Sequence, residues 1–169
     1  MNILIKKKGA GSFVNFSSLK SEFNEISLGL SLSQENYSEI LLLKKILDPE
    51  MVKMFIQNAD ENDYQELQDC YNKISNNFQN KEKFLNFKLQ FHNILAKGSK
   101  NNVLIKINDI FIKIIKNYQE KVNITLDLNN EIKEYNLILE SIVEKDKDSA
   151  FFFMRKNIIR NIQEFQNKK

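Results

Sequence analysis

The stretch VLIKINDIFIKIIKNY, residues 103–118, decides the fold class. It sets Val103, Ile107, Ile110, Phe111, Ile114 and Tyr118 mostly three or four residues apart, with polar and charged residues between them. An α-helix turns once in about 3.6 residues, so these side chains fall on one face. The same period continues in both directions. Upstream, Phe84, Phe87, Phe91, Ile94 and Leu95 define a helix, with Gly98 expected just past its end. Before that, Asp60-Glu61-Asn62-Asp63 pairs a capping residue with an acid three places on, and Tyr64, Leu67, Tyr71, Ile74 and Phe78 follow in register. Earlier still, Ile40, Leu43, Ile46 and Leu47 form a stripe ending at Asp48-Pro49. There proline is expected to close one helix and open a short second one carrying Met51, Met54, Phe55 and Asn58.

Downstream, a loop from Thr125 to Asn130 leads to Tyr135, Ile138, Leu139 and Ile142. Asp146 or Asp148 is expected to cap a last helix with Ala150, Phe153, Met154, Asn157, Ile158 and Phe165. The fold class is all-α: an antiparallel bundle of six or seven helices joined by short loops, over residues 33–169. Residues 2–15 read differently. Two β-prone runs, Asn2 to Ile5 and Ser12 to Asn15, flank a Lys-rich connection with Gly9 and Gly11, the pattern of a β-hairpin. Residues 16–32 are Ser-rich and read as a linker with a short helix.

Composition bounds the function. With 169 residues, 42% of them hydrophobic, the chain has enough apolar material for one sizeable core. A net charge of +3 is too mild to argue nucleic-acid binding by itself. The single cysteine, Cys70, forbids an internal disulfide and reads as a packed thiol in a cytoplasmic protein. No apolar run approaches the roughly 20 residues that span a bilayer. Neither a phosphate-cradling Gly-rich loop nor a catalytic triad nor a paired-carboxylate site can be assembled, so the chain reads as a non-enzyme without a cofactor.

Four stretches resemble a known family. KKKGAGSFV, Lys6 to Val14, is similar to the wing of the winged-helix DNA-binding domain of GntR-family bacterial transcription regulators. EILLLKKILDPE (Glu39 to Glu50), FKLQFHNILAKGSKNNVL (Phe87 to Leu104) and EYNLILESIVEKDKDSAFFFMRKNI (Glu134 to Ile158) resemble helices of the FadR-type effector-binding and dimerisation domain, the FCD domain, of that family. The resemblance implies residues 1–15 as a remnant wing, 16–32 as a linker and 33–169 as the ligand-binding, homodimerising bundle. The family's helix-turn-helix lies before the wing, and the sequence starts within the wing. DNA binding is therefore expected only where that element is supplied upstream or by a partner chain. Lys6, Lys7, Lys8, Gly9 and Gly11 are then the wing residues placed to touch phosphate, or else a solvated basic turn.

Metal-binding members of the FadR type carry an Asp four residues before a helix His, and two further His on the last two helices. Those positions are Lys88, His92, Tyr135 and Asn157 here, so the resemblance implies that the metal site is lost. Two readings of the position remain open. In one, Lys88, His92, Tyr135 and Asn157, with Lys44, grip a small organic anion directly. In the other, Lys88 pairs with a carboxylate and His92 is a satisfied core histidine. The function implied is effector sensing and dimerisation in a GntR-type regulator. The alternative is a helical interaction module that has lost DNA binding.

Overall fold

The computed structural model describes residues 4–7, 11–14, 34–121 and 127–166. The expected linker at 16–32 lies outside the described residues, as do Lys8 and Gly9. Six helices are described: α1 (Gln34–Asn58), α2 (Glu61–Asn76), α3 (Lys81–Gly98), α4 (Asn102–Lys121), α5 (Leu128–Val143) and α6 (Lys147–Gln166). They form an all-α bundle. Two short strands, β1 (Leu4–Lys7) and β2 (Gly11–Val14), pair antiparallel with Leu4 opposite Val14.

The helix starts follow local chemistry. Asp60 caps α2 in a reciprocal capping box with Asp63, each side chain accepting the other's backbone N–H at 3.0–3.1 Å. Asn80 accepts from Lys83 N at the start of α3, and Asp127 accepts from Asn130 N at the start of α5. That second cap begins the helix at Leu128, within the stretch expected to be loop. Of the two acids offered for the last helix, Asp146 is the cap, accepting from the Asp148 and Ser149 amides.

Pro49 does not divide α1, contrary to expectation. Proline inside a helix costs about 3 kcal/mol, because it withholds one N–H and crowds the preceding turn. Ile40 and Leu41 on one side, and Met51, Val52 and Phe55 on the other, are all buried. Each such burial contributes about 1.5–3 kcal/mol, so tertiary packing outweighs the local penalty. The expected apolar stripe on α1 is also displaced. Leu43 and Ile46 are 47% and 62% exposed, while Lys44 and Asp48 are buried. On α4, Val103 likewise points outward and Leu104 takes the inner position.

Gly98 lies in the last turn of α3 and not past it. A Cβ there would overlap the Phe55 ring, so glycine serves close packing of α3 on α1. The left-handed conformation falls instead on Lys100, with φ 54°.

Helix α1 runs through the centre of the bundle and packs on α6, α3 and α4, while α2 packs on α3 and α5. Tyr37 meets Phe165, with ring centroids 5.0 Å apart, and Lys53 sits 4.3 Å over the Phe151 ring, so α1 and α6 run antiparallel. The core has two parts. The larger joins Phe55, Leu67, Ile74, Phe84, Phe91, Ile138 and Met154 with their neighbours from all six described helices. The smaller joins Tyr37, Ile40 and Leu41 of α1 with Phe111, Ile114, Ile115 and Tyr118 of α4 and Phe165 of α6. Tyr37 and Tyr118 stack within it at 3.9 Å. Among the described residues, only the partly buried Leu47 and Ile162 pack against both parts.

Candidate functional site

A layer of polar side chains drawn from α1, α3, α5 and α6 touches both apolar clusters, Lys44 lying 6.0 Å from the Phe111 ring of the smaller and Lys88 5.9 Å from the Phe84 ring of the larger. Lys88 and His92 stand one turn apart on α3, a spacing that puts both on one face. Tyr135 lies on the buried face of α5 and Asn157 on that of α6. Lys44 enters from α1, buried despite its charge.

These residues form two chains of contacts. In the first, Lys44 Nζ lies 2.6 Å from Asp48 Oδ2, and His92 Nδ1 lies 3.1 Å from the same oxygen. His92 Nε2 is 3.0 Å from the Tyr135 hydroxyl. With the imidazole proton on Nδ1 facing the carboxylate, Nε2 accepts from the tyrosine O–H. In the second, Lys88 Nζ lies 2.5 Å from Glu131 Oε2. The other Glu131 oxygen meets Arg160, which also donates to Glu134 Oε2 through Nε at 3.0 Å and reaches Glu164 Oε1. Asn157 Nδ2 donates to Glu134 Oε2 at 2.7 Å, and Asn161 donates to Asn157 Oδ1 at 3.1 Å. Lys88 Nζ also stands 5.8 Å from the centre of the Tyr135 ring, which ties the chains together.

All five sequence-selected ligand residues thus meet in one layer. Four charged partners escaped the sequence reading: Asp48, Glu131, Glu134 and Arg160. A signal for them existed. A buried lysine demands a counter-charge, and Glu131 and Glu134 share a face of α5 opposite Asn157 and Arg160 on α6.

Burial and charge set the protonation states. Burial raises the Asp48 carboxyl, but attraction to Lys44 and then His92 outweighs it and holds the group below the usual carboxylate value. Glu131 follows the same pattern, with Lys88 and Arg160 overcoming burial. Burial, with Lys44 next, lowers the His92 imidazole below its ordinary value despite Asp48, which favours the neutral ring. Tyr135 is pushed well above its ordinary value by burial and by the charges of Glu131 and Asp48, and stays a hydroxyl. Burial lowers the Arg160 guanidinium, but its hydrogen bond to Glu134 and the charge of Glu131 outweigh that and raise it further.

The donor set does not suit a metal ion. Lys88 brings a cation to the place where the resemblance implies a carboxylate, and the Asn157 amide nitrogen is committed to Glu134. Among the described residues no group of three His, Cys, Asp or Glu side chains is placed to hold one. Cys70 is buried with its thiol pushed up to about 12 by burial, which leaves it a packing group and not a nucleophile. No described helix is long and apolar enough to cross a membrane.

Residues 39–159 match the FCD domain. No curated protein matches the chain by sequence. Among solved structures, the chain is similar to Streptococcus agalactiae GntR, with a TM-score of 0.70 and 21% identity over 96% of this chain and 75% of that one. It is similar to E. coli McbR/YncC, with a TM-score of 0.69 and 17% identity over 99% of this chain and 79% of that one. A third structure, described as "Lar controls the expression of the Listeria monocytogenes agr system and mediates virulence", aligns with a TM-score of 0.71 and 12% identity over 99% of this chain and 74% of that one. The chain belongs to the FCD domain family, whose helical bundle is the effector-binding and dimerisation portion of GntR-family transcription regulators.

Proposed function

We propose that this bundle senses a small organic acid without a metal, and that Lys88, His92, Tyr135, Asn157 and Lys44 are the residues that hold it. One observation carries the reading: these five side chains, from four helices, join one network of contacts, four of them buried and Lys88 only 12% exposed. The layer already contains carboxylates bound to its cations, Glu131 on Lys88 and Asp48 on Lys44. An effector carboxylate exchanges like for like with one of them, which keeps the cation paired and leaves the displaced carboxylate to find a new position. The released glutamate or aspartate belongs to α5 or α1, so exchange biases the position of a helix. That is a shift between two arrangements of the bundle.

In the same reading the chain is a cytoplasmic, non-enzymatic homodimer. Leu42, Leu43 and Ile46 on α1, and Phe152 and Ile159 on α6, are exposed apolar side chains on two helices packed together, and they suit a second copy. In this reading β1 and β2 are the two strands of the wing hairpin, and Lys6, Lys7, Lys8, Gly9 and Gly11 are its phosphate-contacting residues when a helix-turn-helix accompanies them. The exposed face on α1 also favours the second reading, a helical interaction module without DNA binding.

Calorimetry with a panel of small carboxylates on the wild type and Lys88→Ala tests the sensing role. A charged hydrogen bond contributes about 1.5–3 kcal/mol, so the variant should lose roughly tenfold to a hundredfold in affinity. Failure of every acid in the panel to bind the wild type would sink the proposal and leave the interaction module.

A further inference from the structure

The polar layer has one member that closes on nothing. Leu104, Asn108, Phe111 and Ile115 form the buried face of α4. Leu104 belongs to the larger apolar cluster, and Phe111 and Ile115 to the smaller, so Asn108 sits where the two meet. That junction is the polar layer. Lys44 Nζ lies 6.0 Å from the centre of the Phe111 ring, one turn along from Asn108. Leu89 of α3 packs on the same smaller cluster, and α3 and α4 run antiparallel from the short turn between them. The register therefore sets His92 level with Asn108. Asn108 is 2% exposed, and neither its amide nitrogen nor its amide oxygen has a hydrogen-bond partner. Among the buried side chains of the described residues it is the one with both a donor and an acceptor left unmatched.

A buried primary amide without partners weakens a fold and adds nothing to its packing that an isosteric leucine would not add. The charged groups of the layer each face a counter-charge, so the layer as a structural device does not need this amide. We propose that Asn108 is a specificity-determining contact for the effector, donating from Nδ2 and accepting at Oδ1. The ligand class that follows is an organic acid bearing an uncharged group that both donates and accepts, a hydroxyl or a carboxamide. Its carboxylate goes to the cations of the layer, and its second group goes to α4. This rests on the sensing role proposed above and adds a fifth helix to the site.

The experiment is calorimetry with matched probes, lactate against propionate and malate against succinate, on the wild type, Asn108→Leu and Asn108→Ala. Melting of the ligand-free wild type and leucine variant accompanies it. Two neutral hydrogen bonds should favour the hydroxylated member by roughly fivefold or more in the wild type. Asn108→Leu should bring that ratio to about one and raise the melting temperature of the ligand-free protein. Asn108→Ala carries the binding comparison if leucine does not fit. The inference is overturned if the wild type binds both members of each pair equally, or if either variant keeps the preference. Such results leave the sensing role standing. If none of the four acids nor any other carboxylate of the panel binds the wild type, the sensing role fails and this contact with it.

Discussion

Glu131→Gln is the sharpest probe of what holds the layer together. The Glu131 side chain is fully buried and bridges Lys88 and Arg160. Neutralising it leaves Arg160 with two partners, Glu134 at 2.9 Å and Glu164, so little is lost there. Lys88 has no such reserve. Its side chain is 12% exposed, and the ammonium is left over the Tyr135 and Phe84 rings. Removing one partner of a buried pair costs about 3–5 kcal/mol, and partial access to water puts Lys88 at the lower end. For a chain of this size, each kcal/mol lowers the melting temperature by about 2–4 °C, so the expected drop is about 6–12 °C. Lys88→Met should cost a similar amount, because it strands Glu131 against Arg160 alone. The double variant should be far milder than the sum. A double-mutant cycle by thermal or urea melting should give a coupling of at least about 1.5 kcal/mol. A coupling below about 0.5 kcal/mol would mean that the pair behaves as a surface contact, and the reasoning about a buried charge layer would be wrong.

Three further outcomes follow from particular contacts. Gly98→Ala drives a methyl into the Phe55 ring between α3 and α1 and should cost about 1–3 kcal/mol by urea melting; an unchanged midpoint would show that the helices separate freely. Stability should fall with acid in two stages. His92 has a lowered folded value, so the unfolded chain takes up its proton first as pH drops below about 6.5. Asp48 and Glu131, also lowered, then lose their contribution as pH falls from the ordinary carboxylate range through their depressed folded values. In both stages the unfolded state binds more protons, so stability rises with pH, and His92→Gln should remove the upper stage of a melting-temperature profile. Finally, Cys70 should resist a thiol reagent in the native protein and react only on unfolding, because its buried thiol is pushed up to about 12; rapid native labelling at neutral pH would contradict this.

The helices were legible because their burial follows the period of Phe84, Phe91, Ile94 and Leu95 or of Tyr135, Ile138 and Ile142. Their starts were legible because Asp60 and Asp146 act on residues beside them in the chain. The break at Pro49 was misread, since its local penalty is visible in sequence while the burial that outweighs it is not. The face of α1 was misread for a related reason. Hydrophobicity favours Leu43 and Ile46 as inner residues, but Lys44 and Asp48 are inside because Asp48 meets His92 from another helix. The same limit hid Glu131 and Arg160, which look like surface charges until α5 and α6 are placed side by side. The five candidate ligand residues emerged only through resemblance to the family. Their meeting in one layer depends on helix packing that no local pattern encodes.

The most direct test of the central claim is where an acid binds. Side-chain and backbone nitrogen chemical shifts should be mapped while the protein is titrated with the tightest carboxylate of the panel. The account predicts that the His92 ring nitrogens, the Asn157 and Asn108 amides and the α5 backbone around Glu131 shift together, at one saturation point. Shifts confined to exposed lysines, with His92 and Asn157 unmoved, would contradict it.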